Sequence, residues 1–143
     1  MDIHDYVRFS TEAARLKGAQ EAARAHAQFM HSVVQPAIQA QAVELLRAHA
    51  QAGDQVVIVT ATNEFVTRPI AQAFGVSELI AVELERDATG WITGEIRGTP
   101  SFREGKVTRI AQWLGLQGLD WPDVDITFYS DSMNDLPLLE KAH

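Results

Sequence analysis

The chain contains no cysteine. Disulfides and thiolate metal sites are excluded, and the composition fits a reducing compartment. No apolar run approaches the ~18–20 residues that a membrane-spanning helix needs. The opening Met1-Asp2-Ile3-His4-Asp5 lacks the basic start and apolar core of a signal peptide. These absences make the cytoplasm the expected location and exclude a membrane partner. His4, His26, His31 and His49 all fall early in the chain, but no pair has a tight metal-ligand spacing. They read as structural or surface residues. No internal repeat, low-complexity tract or long linker is present.

Basic charge is also scarce. Residues 1–50 carry five basic and five acidic side chains, whereas 51–143 carry seven basic and fourteen acidic, for a net charge of −7. The densest acidic cluster is Asp120, Asp123, Asp125, Asp131 and Asp135, with no Lys or Arg among them. Such a surface repels nucleic-acid phosphates and argues against a nucleic-acid partner. A solvated loop accounts for Asp120, Asp123 and Asp125. It accounts poorly for Asp131, which directly follows an apolar run.

What remains is enough for one domain with a sizeable core: 143 residues, 46% hydrophobic and 22% charged. Helical periodicity is expected over 2–16 (Ile3, Tyr6, Val7, Leu16), over 19–34 after Gly18, and over 37–51 after Pro36. The β-branched run Gln55-Val56-Val57-Ile58-Val59-Thr60 reads as a buried parallel strand. A helix carrying Phe65, Val66, Ile70 and Phe74 follows, with Pro69 expected to bend or limit it and Gly75 to close it. Residues 79–84 and 91–97 read as two strands of a hairpin around Asp87-Ala88-Thr89-Gly90. A helix then starts at Glu104 or Gly105, a strand covers 125–130, and Pro137 opens a last helix. Strand–helix–strand followed by helix–strand–helix predicts a doubly wound α/β fold with right-handed crossovers.

In such a sheet, ligands gather at strand carboxyl ends and helix amino ends. Three features fall there. Thr60 ends a strand, and its hydroxyl with the Ala61 backbone N–H could hold a phosphate oxygen. Alternatively, Thr60 or Asn63 caps the next helix. Lys106 lies at a helix start, where a cation opposes the macrodipole and is poorly placed for stability alone. It can pair with an anion beyond the helix, or be a plain surface lysine. Asp131 and Asp135, four apart around a strand-to-helix turn, can face one hard cation. Asp135 can also cap the helix opened by Pro137.

Together, these features resemble motifs II, III and IV of the haloacid dehalogenase superfamily, most nearly its phosphoserine-phosphatase-like branch. Val57-Ile58-Val59-Thr60-Ala61-Thr62-Asn63 looks like motif II, and Gly105-Lys106 looks like motif III. Tyr129-Ser130-Asp131-Ser132-Met133-Asn134-Asp135-Leu136-Pro137-Leu138-Leu139 looks like motif IV, the most specific of the three. The resemblance implies a Rossmann-like parallel sheet, with residues 1–35 as part of a helical cap and 36–143 as the core. It implies that Thr60 binds the transferring phosphoryl group and that Lys106 neutralises phosphate and nucleophile. Asp131 is then a Mg²⁺ ligand, Asp135 supports the metal site, and Asn134 and Ser132 make phosphate-side or supporting contacts.

The family's motif I, Asp-x-Asp-x-Thr/Val after the first strand, supplies the nucleophile and the general acid/base. Nothing before Thr60 matches it. Asp123-Val124-Asp125-Ile126-Thr127 fits the letters, but it follows Trp121-Pro122 instead of an apolar strand, and Asp123 lies at the wrong end of the 125–130 segment. The resemblance therefore implies a fragment whose core lacks the central nucleophile strand, leaving 55–60 and 125–130 with exposed edges. The expected function is a Mg²⁺-dependent phosphomonoester hydrolase acting on a small phosphorylated metabolite such as phosphoserine or histidinol phosphate. The chain as it stands is expected to be inactive, and a missing strand to be replaced, for instance in a strand-swapped homodimer. The alternative is a non-catalytic phosphate- or metal-binding module. Substrate identity lies beyond the sequence.

Overall fold

The computed structural model describes residues 2–143. Three stretches of helix come first. α1 (Ile3–Lys17) is capped by the Asp2 carboxylate, which accepts from the Asp5 N–H. Gly18, at φ 85°, separates it from α2 (Ala19–Phe29). α2 continues through a π-helical turn (Met30–Val34) into the single turn α3 (Gln35–Ala37), with no break where Pro36 stands. The chain just before the proline is in the wider π register, with the Gln35 N–H bonded to the Met30 carbonyl five residues back. α4 (Ala40–Gln51) leads to β1 (Val57–Asn63).

β1 begins two residues later than expected and runs three residues further. It pairs in parallel with β2 (Glu78–Val82), and the ladder is irregular. Val59 faces Ile80 and Asn63 faces Val82, so β1 spends two more residues than its partner between these pairs. Thr60-Ala61-Thr62 is a bulge in the ladder, a device that re-aims backbone and side chains. Asn63 then caps α5 (Glu64–Ala73), its Oδ1 accepting from the Val66 N–H at 3.1 Å. Pro69 lies inside α5 without ending it. Only the Phe65 carbonyl loses its helical donor, and the buried Thr67 and Ala71 keep the helix packed. Gly75, at φ 72°, closes it as expected, with the Gly75 and Val76 N–H groups turning back to Gln72 and Ala71.

The expected 79–84 strand divides between two sheets. β2 belongs to the parallel pair, whereas β3 (Leu84–Arg86) pairs antiparallel with β4 (Ile92–Ile96). Glu83 is the hinge between them. The hairpin turn is held by Asp87, whose Oδ1 accepts from the Thr89 and Trp91 N–H groups. α6 (Glu104–Leu116), a 3₁₀ turn (Trp121–Asp123), a second 3₁₀ turn (Met133–Asp135) and α7 (Leu136–Lys141) complete the chain.

Two apolar clusters hold these elements. Val7 of α1 meets Val82, Leu84 and Ile92, with Phe65 and Trp91 packed against them, so α1 sits on the hairpin. Arg15 lies so close over Gly94 that a Cβ there would be 2.8 Å from the guanidinium carbon. The second cluster joins Ile80 with Ile110, Leu114 and Leu138, flanked by Val57, Val59, Ile126 and Phe128.

The expected strand at 125–130 is not formed. The segment is extended, but it has no ladder partner among the described residues, and β1 is paired only with β2. Ile126 and Phe128 still bury their apolar side chains against the second cluster. Side-chain burial thus follows the sequence pattern. Ladder formation needs a neighbouring strand within hydrogen-bonding distance, and the described residues place none beside this segment.

Candidate active site

The loop before α6 connects the three expected motifs. Ser101, fully buried, donates its hydroxyl to the Thr60 carbonyl at 2.6 Å. That carbonyl sits in the β1 bulge, where the regular ladder is interrupted. The Thr60 hydroxyl accepts from the Thr62 N–H at 3.1 Å, folding the bulge into a tight turn. Of the two capping alternatives, Asn63 is therefore the helix cap, and Thr60 keeps its side chain at the turn.

At the other end of the loop lies Lys106, the third residue of α6 and only 6% exposed. Its Nζ pairs with Asp135 Oδ1 at 2.5 Å. The other Asp135 oxygen accepts from Ser130 Oγ at 2.5 Å, and Ser130 Oγ in turn accepts from the Ser132 N–H at 3.1 Å. Burial pushes the Asp135 carboxyl up. The hydrogen bonds from Lys106 and Ser130, with the lysine charge, more than reverse this and hold it below the usual carboxylate value. Lys106 is thus no surface lysine: it pairs with an anion beyond its helix. Asp135 occupies the position before α7 but makes no capping hydrogen bond, because both oxygens are already engaged.

Between these ends the loop is sharply coiled. A Cβ on Gly105 would lie 1.9 Å from the Pro100 carbonyl oxygen, so only glycine fits. Arg103 has φ 53° and ψ −123°, the sole non-glycine residue with positive φ among those described. Its guanidinium stacks 4.9 Å above the Phe102 ring and directs Nε at Asn134 Oδ1, 3.4 Å away. Backbone strain of this kind gathers at functional sites. Within six residues, the loop ties Thr60, Asn134 and Asp135 into one constellation through Ser101, Arg103 and Lys106.

Asp131 lies outside this network, on the exposed segment that precedes the 3₁₀ turn. Its carboxylate, unlike that of Asp135, is open to solvent. No group of three or more His, Asp or Glu residues able to hold a metal occurs among the described residues. Magnesium suits such a sparse oxygen donor set, since it commonly takes one or two protein carboxylates and fills its remaining positions with water and phosphate. The sequence pattern does not point to Ser101, to Arg103 or to the role of Ser130. Ser130 stands within the motif IV string, and its spacing of five from Asp135 is a readable signal. Ser101 had none, because its partner is a backbone carbonyl.

The haloacid dehalogenase-like hydrolase family matches residues 5–140. A histidinol-phosphatase of Neisseria meningitidis is 38% identical over 140 residues, covering 97% of this chain and 63% of that protein. A probable phosphatase of Mycobacterium tuberculosis is 35% identical over 111 residues, 78% of this chain and 37% of that one. The chain thus spans less than two thirds of either relative. A crystal structure of a Bordetella pertussis protein of unknown function superposes with a TM-score of 0.92 at 48% identity, covering 98% of this chain and 63% of that one. A substrate-bound phosphoserine phosphatase shares the fold alone, at a TM-score of 0.52 and 21% identity. The chain belongs to the haloacid dehalogenase-like hydrolase family.

Proposed function

We propose that this chain carries the phosphate- and cation-holding part of a Mg²⁺-dependent phosphomonoester hydrolase. One observation carries the reading: the 101–106 loop holds the Thr60 turn through Ser101 and the motif IV turn through Lys106. In this reading Thr60 and the Ala61 N–H bind the phosphoryl oxygens. Lys106 supplies positive charge beside them, fixed by Asp135, and Asn134 contributes a polar contact steadied by Arg103. Asp131 is the direct Mg²⁺ ligand, and Asp135 supports the site from behind through Ser130 and Lys106. Magnesium, when bound, supplies charge neutralisation at the phosphate oxygens. Positioning and charge are most of what phosphoryl transfer asks of a protein.

The nucleophile in this reading is a carboxylate on an extended strand that pairs beside the free edge of β1. The unpaired 125–130 segment and the one-sided pairing of β1 support this. A strand-swapped homodimer could cover the open β1 edge, but a second copy of this chain would bring no motif I nucleophile with it. Residues 1–35 act as part of the cap. The substrate is a small phosphorylated metabolite, and the meningococcal relative's name puts histidinol phosphate ahead of phosphoserine. Among the described residues no helix is long and apolar enough to cross a membrane.

Calorimetric titration with MgCl₂ and inorganic phosphate tests the reading. Binding of both is expected, with Mg²⁺ lost in Asp131→Asn and phosphate weakened in Thr60→Ala. Hydrolysis of p-nitrophenyl phosphate by the chain alone is expected to be absent. Turnover abolished by Asp131→Asn would overturn the need for an added nucleophile. Failure to bind either ion would overturn the assignment of the site.

A further inference from the structure

A cavity of about 400 Å³ opens between α2 and α5. Its size lies in the range of small-molecule sites. None of Thr60, Ala61, Lys106, Asp131, Asn134 or Asp135 lines it, so it is separate from the phosphate-holding constellation.

The wall is apolar and partly aromatic. Ala23, Ala27 and Met30 face Phe65 and Pro69 across it. The His26 ring lies in the same wall, 5.4 Å from the Phe65 centroid and 5.8 Å from Phe29. His26 Nε2 is 2.9 Å from the Val66 carbonyl oxygen. A carbonyl can only accept, so Nε2 carries the hydrogen and the ring is fixed as part of the platform. Met30 is also where the helix turns π, its carbonyl accepting from the Gln35 N–H. Such turns recur at functional sites.

The rim carries the charge. Glu64 is the shared partner of Arg86 at 3.6 Å and Arg68 at 3.9 Å, and all three line the cavity. Two guanidiniums share one carboxylate, and neither contact is short enough to be a hydrogen bond. Arg86 otherwise donates only to the neutral Gly90 carbonyl. The rim therefore holds one unbalanced positive charge above an apolar, aromatic floor.

We propose that this cavity binds a small molecule with a flat apolar ring and a single carboxylate. The ring lies against Phe65 and His26, and the carboxylate meets Arg68 and Arg86, whose planar forks suit it. The probe is 3-phenylpropionate, titrated by calorimetry, with 3-phenylpropylamine as its cationic counterpart. The acid is expected to bind, and the amine to bind roughly tenfold more weakly or not at all. Arg68→Gln and Arg86→Gln should each weaken the acid by about three- to tenfold without changing the fold, since both side chains are about half exposed. Ala27→Leu, which fills the cavity from a helical position, should abolish binding while circular dichroism stays unchanged. Saturating inorganic phosphate should leave the affinity for 3-phenylpropionate as it was. Absence of binding, equal binding of acid and amine, indifference to both arginine substitutions, or competition by phosphate would each overturn the proposal.

Discussion

The two carboxylates of the 131–135 turn, one 3₁₀ turn apart, live in opposite environments. Asp135 is 6% exposed, with both oxygens engaged by Lys106 and Ser130. Asp131 is exposed and stands outside that network. Sequence spacing makes them look alike, as two acids converging on one cation. The structure separates their surroundings, and in the proposed reading Asp135 holds the turn and the lysine in place while Asp131 is the open ligand. A buried ion pair makes a rigid frame because each charge needs the other in a site that water does not fill. An exposed acid needs no partner and is free for a ligand.

The contrast is broken most severely from the buried side. Asp135→Asn keeps the shape but leaves Lys106 as an unpaired buried cation. A loss of about 3–5 kcal/mol is expected, read as a lowered midpoint in urea unfolding. Replacing both residues with apolar ones, Lys106→Met with Asp135→Leu, should recover much of that stability while phosphate binding is lost. If Asp135→Asn alone is neutral, the frame role is wrong. Gly105→Ala tests the same frame through its backbone. The added Cβ would meet the Pro100 carbonyl oxygen, and the loop must shift, at an expected cost of about 1–3 kcal/mol. The same change at Gly115, where a Cβ has open space, should be neutral or stabilising because alanine favours the helix.

Acid offers a subtler break. The Asp135 carboxyl titrates lower in the folded chain than in the unfolded one. Its stabilising contribution is therefore complete above the unfolded value of about 4 and is lost as the pH falls through that value toward the lower folded one. The unfolded chain takes up the proton first, so stability must fall as pH falls. Unfolding midpoints from pH 6 down to pH 2 should show this slope below about pH 4, and Asp135→Asn should flatten it. An unchanged slope in the variant would assign the acid sensitivity to other carboxylates.

Much of the frame was legible in the chain. Gly75 as a helix stop follows from local rules and is where they place it, while Asn63 and Glu104 are each one of the two positions those rules left open for the cap and the helix start. Lys106 was legible because a cation at a helix amino end is out of place without an anion to meet it. The strand at 125–130 was not, although its apolar side chains pack as their pattern demands. Alternation reports which face is buried, but a ladder depends on what lies alongside, and that is not a property of the segment. The division of 79–84 at Glu83 failed for a related reason, since a continuous apolar run does not show where it changes sheets. Arg103 was equally hidden. Its positive φ comes from the coil of the loop around Gly105, and nothing in its own side chain asks for it.

The smallest expected effect on stability is the most informative about function. Asp131→Asn removes a charge from an exposed position outside the Lys106 network, so the unfolding free energy should change by no more than about 0.5 kcal/mol. Mg²⁺ affinity should nevertheless collapse, because a neutral amide oxygen is a far weaker ligand for a hard cation than a carboxylate. Asp135→Asn should show the reverse weighting: a large loss of stability, with Mg²⁺ binding reduced only as far as the turn is loosened. Measuring both variants by urea unfolding and by Mg²⁺ titration therefore gives a crossed pattern. If the two variants lose metal and stability in the same proportion, the carboxylates act as one site, and the division into frame and open ligand fails.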